Sequence, residues 1–265
     1  MARIFVDAHV HFHERDTARD VIEHALQRAE ALGGRLALLF ADPLGESGFS
    51  RFQEAASASA FTLENTGEAE SFVLRHAKEQ LAGGLGHDVA VCRGRQWVSR
   101  EGIEVLHLLA PLDTSEASLE RERLPLDQLL AALSPRTGVV VLPWGFGKWL
   151  GRRRSLLRVE GRKALASGST LFSGDIRARC WPWSSPLRTL PELRVLPGAD
   201  PLPLPGGFRE IGRYVFSTDV DPEQPPAAAL RGALAGDAEL HVAGGRQSLL
   251  AAIAGQLRYR WYRRR

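Results

Sequence analysis

The sequence predicts an α/β protein, built as a single TIM-like barrel of alternating strands and helices. Three observations carry that expectation. Short apolar runs of strand length recur at residues 4–6, 36–40, 89–92 and 138–142. Each runs into a polar loop, and helical stretches separate several of them. No composition break marks a linker, and 265 residues suit one barrel, so residues 1–265 read as a single domain.

The elements follow in order. After the first strand, Asp16 or Thr17 caps a helix to about residue 32, with Val21, Ala25, Leu26, Ala29 and Leu32 on one stripe. Gly33 and Gly34 end it, and the second strand, 36–40, leads into Ala41-Asp42-Pro43. Residues 45–63 are small and polar with scattered aromatics, which reads as a long excursion with a strand near 59–63. A helix is expected over 68–81, then a strand at 89–92. Residues 94–98 and 103–109 flank a turn at 100–102 as an inserted hairpin. A helix over 124–133 precedes the strand 138–142, which enters Pro143-Trp144-Gly145-Phe146-Gly147-Lys148. Strands at 169–172 and 193–196 end in Ser173-Gly174-Asp175 and Gly198-Ala199-Asp200. Helices near 225–235 and 245–262 close the chain, with a short strand at 239–242 between them.

Composition bounds the function. A hydrophobic content of 44% and a charged content of 25% are those of a globular protein. No run has the length of a membrane span, and the start lacks the pattern of a signal peptide, so a cytoplasmic setting is expected. Cys92 and Cys180 are too few for a disulfide framework or a thiolate zinc site. The net charge is only +3, but seven cations and one acid fall within 148–163, and five arginines lie among the last eight residues. Arginines interleaved with Tyr259, Trp261 and Tyr262 on a basic helix over about 245–265 suit an anionic surface or a protein partner. Nucleic acid is the less expected partner, because such a tail commonly complements a helix dipole.

The chemistry starts at Asp7-Ala8-His9-Val10-His11. Residues two apart on a strand share a face, so His9 and His11 can point at one spot, with Asp7 beside them. Neutral imidazole is the commonest zinc ligand and a carboxylate is a natural companion. The alternative for the same residues is a solvated loop or hydrogen-bonded core histidines. In parallel α/β barrels the reactive groups stand at the carboxyl ends of the strands. Asp42, Gln96, His107, Trp144 with Lys148, Asp175 with Arg177, and Asp200 stand there in this reading.

These motifs resemble those of the polymerase-and-histidinol-phosphatase (PHP) family of metal-dependent hydrolases. Asp7-Ala8-His9-Val10-His11 is similar to the family's opening metal motif, and Gly198-Ala199-Asp200 to its late Gly-Ser-Asp. The order of motifs matches over residues 3–200. The resemblance implies a distorted seven-stranded β/α barrel. Pro43, Gln96 and Pro143-Trp144 stand where the family places a histidine, a bridging glutamate and His-Pro, so its full trinuclear site is not expected. What remains implied is one divalent ion, zinc or manganese, drawn from Asp7, His9, His11, His107 and Asp200. Asp175 as base and Lys148 and Arg177 as charge stabilisers would act on a small anionic substrate, foremost a phosphoester. Gln96, Trp144, Gly145, Gly147 and Arg179 would line its binding site. The alternative function is a barrel whose metal site has decayed, serving as an anion-binding or protein-partner module.

Overall fold

The structure, a computed structural model, describes residues 1–58, 61–66, 70–76, 87–111, 123–145, 149–180 and 185–262. The chain pairs its strands into two mixed sheets. The first has the order β13(His241–Gly244), β12(Tyr214–Val220), β1(Ala2–Val10), β2(Arg35–Phe40), β6(Val89–Cys92), β5(Ser71–His76), β4(Phe61–Asn65). The second has the order β11(Val195–Gly198), β10(Leu171–Ile176), β9(Val139–Pro143), β8(Glu104–Leu108), β7(Gly94–Val98), β3(Asp42–Pro43). The expected single TIM-like barrel is therefore corrected to two sheets of seven and six strands.

The physical reason lies in the connections. A closed parallel barrel needs a crossover between successive strands. Here Ser99 and Gly102 make a tight turn, with Gly102 at φ 74°, so β8 returns antiparallel beside β7. β8 is also antiparallel to β9, β4 to β5, and β12 to β1. Among the described residues no ladder joins β11 to β1. They meet through Asp200 N–H, which donates to His9 O at 2.8 Å.

The inner faces of both sheets share one apolar core, in which Val6, Ala8, Leu39, Leu106, Val141, Phe172 and Phe216 meet α5(Pro226–Ala235). Outside the first sheet lie α1(Ala18–Leu32) and α2(Gly48–Ser57), packed on Leu36, Leu38 and Phe72. Outside the second lie α3(Leu126–Leu133) and α4(Gly151–Ala166), packed on Val105, Val140 and Leu171. Helix α6(Leu249–Tyr262) borders the mouth, where Gln256 and Tyr259 share a cleft with His11 and Asp200.

Several local readings change. The helix expected over 68–81 is the strand β5 over its described part, because Phe72-Val73-Leu74 are consecutive buried residues between β4 and β6 and lack a 3.6-residue period. Residues 77–86 lie outside the described ones. The excursion at 45–63 contains α2, whose Phe49, Phe52 and Ala56 are buried at helical spacing. Its first turn is capped by Asp42, which accepts from Phe49 N–H at 2.8 Å. Strand β12 was not expected at all; tertiary pairing with β1 makes it.

Gly198 marks the tightest seam. A Cβ there would meet His9 Cβ and the His9 backbone nitrogen, each at 2.6 Å. Gly198→Ala should therefore destabilise the fold by about 1–3 kcal/mol through overpacking against backbone. Chemical denaturation checks this; an unchanged midpoint would mean that the seam yields freely.

Candidate metal centre

The site is made by an irregularity in β1. On β1, Ile4, Val6 and Ala8 face the inner core, but Val10 packs on the helix side. The pairing with β2 shifts register between Asp7 and Val10, the signature of a β-bulge. The bulge reverses the alternation, so His9 and His11 turn toward the mouth while Asp7 stays behind. Asp7 was expected among the metal ligands; the structure gives it another task. Its Oδ1 accepts from Ala199 N–H at 2.8 Å and His9 N–H at 3.3 Å, and its Oδ2 from Gly212 N–H at 2.8 Å. Burial pushes its carboxyl up to about 7 despite those three donors.

His9, His11 and Asp200 converge. His9 Nε2 stands 3.0 Å from His11 Nε2, and Asp200 Oδ1 stands 3.7 Å and 3.5 Å from the two. Both imidazoles are buried, at 4% and 9% exposure, and all three ligand atoms lie within 4.8 Å of one another. Asp200 reaches this place through a left-handed backbone (φ 46°), a conformation that Asp tolerates better than most residues. Ligands about 2.0–2.2 Å from a tetrahedral zinc lie about 3.3 Å apart, and the observed separations bracket that value. The three residues thus fit a divalent cation.

Electrostatics agree with that fit. Two imidazole nitrogens at this distance cannot both be bare acceptors, so one proton lies between them. Burial, the largest influence, holds His9 below the usual histidine range. Burial also acts downward on His11, but the hydrogen bond and charge of Asp200, with Glu104 and Asp42, outweigh it and raise His11. Asp200 therefore favours positive charge on the His11 side of the pair, the place a cation would take.

The other expected site residues divide. Gln96 and Gly145 line a cleft of about 580 Å³ in front of the triad, with the Gln96 side chain beside His9. His107 lies elsewhere. Because β8 runs antiparallel, its first residue, Glu104, reaches the mouth, while His107 stands near its far end against Gly138. Asp175 is buried and saturated: Arg179 holds both of its oxygens, Tyr214 donates at 2.7 Å and Arg246 at 2.9 Å. Burial, followed by the charge of Asp175, pushes the Tyr214 phenol up to about 12, so it remains a donor. Arg177 is bound to Glu210 and to Gly245 O. Asp175, Arg177 and Arg179 are thus spent on ion pairs rather than gathered at the cleft. Trp144 is buried in the helix-side core. Gly147 and Lys148 lie outside the described residues.

Sequence reasoning missed Glu104, Glu46, His13, Gln256 and Tyr259, which also line the cleft. The hairpin direction, visible in the turn at 100–102, is the signal that places Glu104 at the mouth. His13 donates Nε2–H to Pro201 O at 2.8 Å, since a carbonyl can only accept.

No protein-family model and no curated protein sequence matches the chain. Among solved structures it is similar to PsfC from Pseudomonas syringae PB-5123, with a TM-score of 0.50 and 16% identity over 100% of this chain and 99% of that one. It is also similar to Endonuclease Q, solved with a 27-mer duplex carrying an abasic lesion at the active site, with a TM-score of 0.53 and 11% identity over 96% of this chain and 66% of that one. The lesion-specific endonuclease PfuEndoQ from Pyrococcus furiosus gives 0.52 and 11% over 91% of this chain and 57% of that one. What is shared is a fold. The likeness to Endonuclease Q is one of fold alone, and it is compatible with a PHP-like fold. The chain spans under two thirds of each endonuclease's length. One expectation is corrected here: nucleic acid cannot be set aside as a partner when a protein of similar fold holds a DNA duplex at its active site. Among the described residues, no helix is long and apolar enough to cross a membrane.

Two outcomes follow from the geometry. Because a cation displaces the proton on a histidine whose pKa is raised, its apparent affinity should fall about tenfold per unit as pH drops below that pKa, and level off above it. Zinc titration calorimetry between about pH 5.5 and 8 measures this; a flat profile would place the ion elsewhere. Asp175→Ala should cost about 3–5 kcal/mol, by leaving buried Arg179 without its carboxylate, yet leave cation stoichiometry unchanged. Loss of the cation alone would return Asp175 to the site.

Proposed function

We propose that this protein is a metal-dependent phosphoesterase of PHP-like fold, with one zinc or manganese ion held by His9, His11 and Asp200. The convergence of two imidazole nitrogens and one carboxylate oxygen, with His11 and Asp200 opening into a cleft, carries this reading. Charge supports it. The described cleft lining includes the carboxylates of Glu46, Glu104 and Asp200 but no lysine or arginine. An anionic substrate would be repelled by such a wall unless a cation offset it. When bound, a divalent ion supplies that positive charge and makes water a stronger acid, toward pKa about 7.

The chain's own residues do the rest. His9 and His11 present their Nε2 atoms from a buried strand end, so only the proton between them has to leave on loading. Gln96 offers an uncharged carbonyl and amide beside them to orient the phosphoryl group. Tyr259 and Gln256, from α6, form the outer wall against which the leaving group packs. The substrate class is the phosphoester. The DNA duplex in Endonuclease Q brings a nucleic-acid phosphodiester into that class beside small phosphomonoesters.

A second reading, a binding module with a decayed site, has its own observation. Metal-ligating histidines usually donate their second nitrogen to an acceptor, and among the described residues the Nδ1 atom of His11 has none.

The two separate in one experiment. Tag-free protein should hold about one equivalent of metal by mass spectrometry and hydrolyse a phosphoester panel that includes abasic duplex DNA. His9→Ala/His11→Ala should lose both properties. Hydrolysis retained in the double variant, or no metal in the parent after incubation with zinc and manganese, overturns the phosphoesterase reading.

A further inference from the structure

Three protein ligands rarely complete the shell of a divalent cation; at least four donors are usual, water included. The cleft shows where a fourth side chain stands. His13 is occupied by Pro201 O, and Gln96 is neutral. Two carboxylates remain, Glu46 and Glu104. Glu46 sits in the turn after β3, where its N–H donates to Pro43 O, whereas Glu104 opens β8 in the hairpin that carries Gln96.

The placement of Glu104 is fixed by the sheet. In the β7–β8 hairpin Gln96 pairs with Leu106, and Val98 with Glu104. Gln96 and Glu104 are therefore diagonal neighbours on one face, both opening into the cleft that holds His11 and Asp200. Glu104 is only partly buried, and its carboxyl lies outside the tight triad of ligand atoms. Three side-chain torsions separate it from the backbone, enough freedom to swing inward.

We propose that Glu104 is a cation ligand, the fourth side chain of the His9–His11–Asp200 site, recruited when the ion binds. This rests on the metal-dependent reading above. The shell is then two imidazoles and two carboxylates, each carboxylate from a different strand of the second sheet: Asp200 after β11, and Glu104 at the start of β8. Two carboxylates neutralise a divalent ion, and Gln96, beside them, keeps the next position uncharged for substrate.

The test is calorimetric titration of the purified full chain with Zn²⁺ and Mn²⁺ at fixed pH, for the parent, Glu104→Gln and Glu104→Gln/Gln96→Glu. Glu104→Gln should weaken binding by about tenfold or more while keeping one site. The double variant, which moves the carboxylate one diagonal across the same face, should recover most of that loss. Thermal unfolding of the metal-free proteins should differ by less than about 3 °C, which separates a ligand role from a folding role. Unchanged affinity in Glu104→Gln overturns this inference and leaves the three-residue site standing. Failure of the parent to bind either ion overturns both.

Discussion

The structure depends on how β1 is held at its carboxyl end. Asp7, fully buried, binds three backbone amides from His9, Ala199 and Gly212. It thereby ties the end of β11 and the approach to β12 onto β1. An unpaired carboxylate at that depth would be strongly destabilising, and three amide donors are what make it tolerable. The bulge beside it turns His9 and His11 to the mouth, and Gly198 allows the neighbouring chain to approach closely enough to deliver Asp200. The residue that looks most like a ligand in the motif is thus the one that builds the site without joining it.

The cleft is acidic, and that constrains its chemistry more than the fold does. The cationic groups that might have balanced it, Arg177 and Arg179, are committed to Glu210 and Asp175 in networks that brace β10 against β12 and the segment after β13. A buried ion network of this kind is better evidence of a specified arrangement than of net stability. The described lining of the cleft holds no lysine or arginine, and the His9–His11–Asp200 cluster is the place in it that could hold a cation.

The neighbours PsfC and Endonuclease Q share the architecture at 16% and 11% identity. Likeness at that level places a chain in a fold, and function has to be argued from side chains. Here the side chains are two histidines and one aspartate at a strand end, with a glutamate from an antiparallel neighbour. That set is coherent for one cation, and its neutral Gln96 limits how far a larger metal cluster could extend on that side.

By itself, the sequence determined the local grammar. The apolar runs at 36–40, 89–92 and 138–142 are strands, the hairpin around 100–102 is present, and α1 begins at its Thr17 cap and ends at Gly33. It also singled out His9, His11 and Asp200, because strand-end histidines and a late Gly-x-Asp are rare patterns that survive small boundary errors. Tertiary structure decided the rest. Whether the sheet closes depends on which edge strands pair, which no single run records, and antiparallel β8 moved Glu104 to the mouth and His107 away from it. The separation of Asp7 from the histidines depends on a bulge, a one-residue register shift set by the pairing with β2. The partners of Asp175, Arg177 and Arg179 come from up to 71 residues away, and such contacts exist only once the chain has packed.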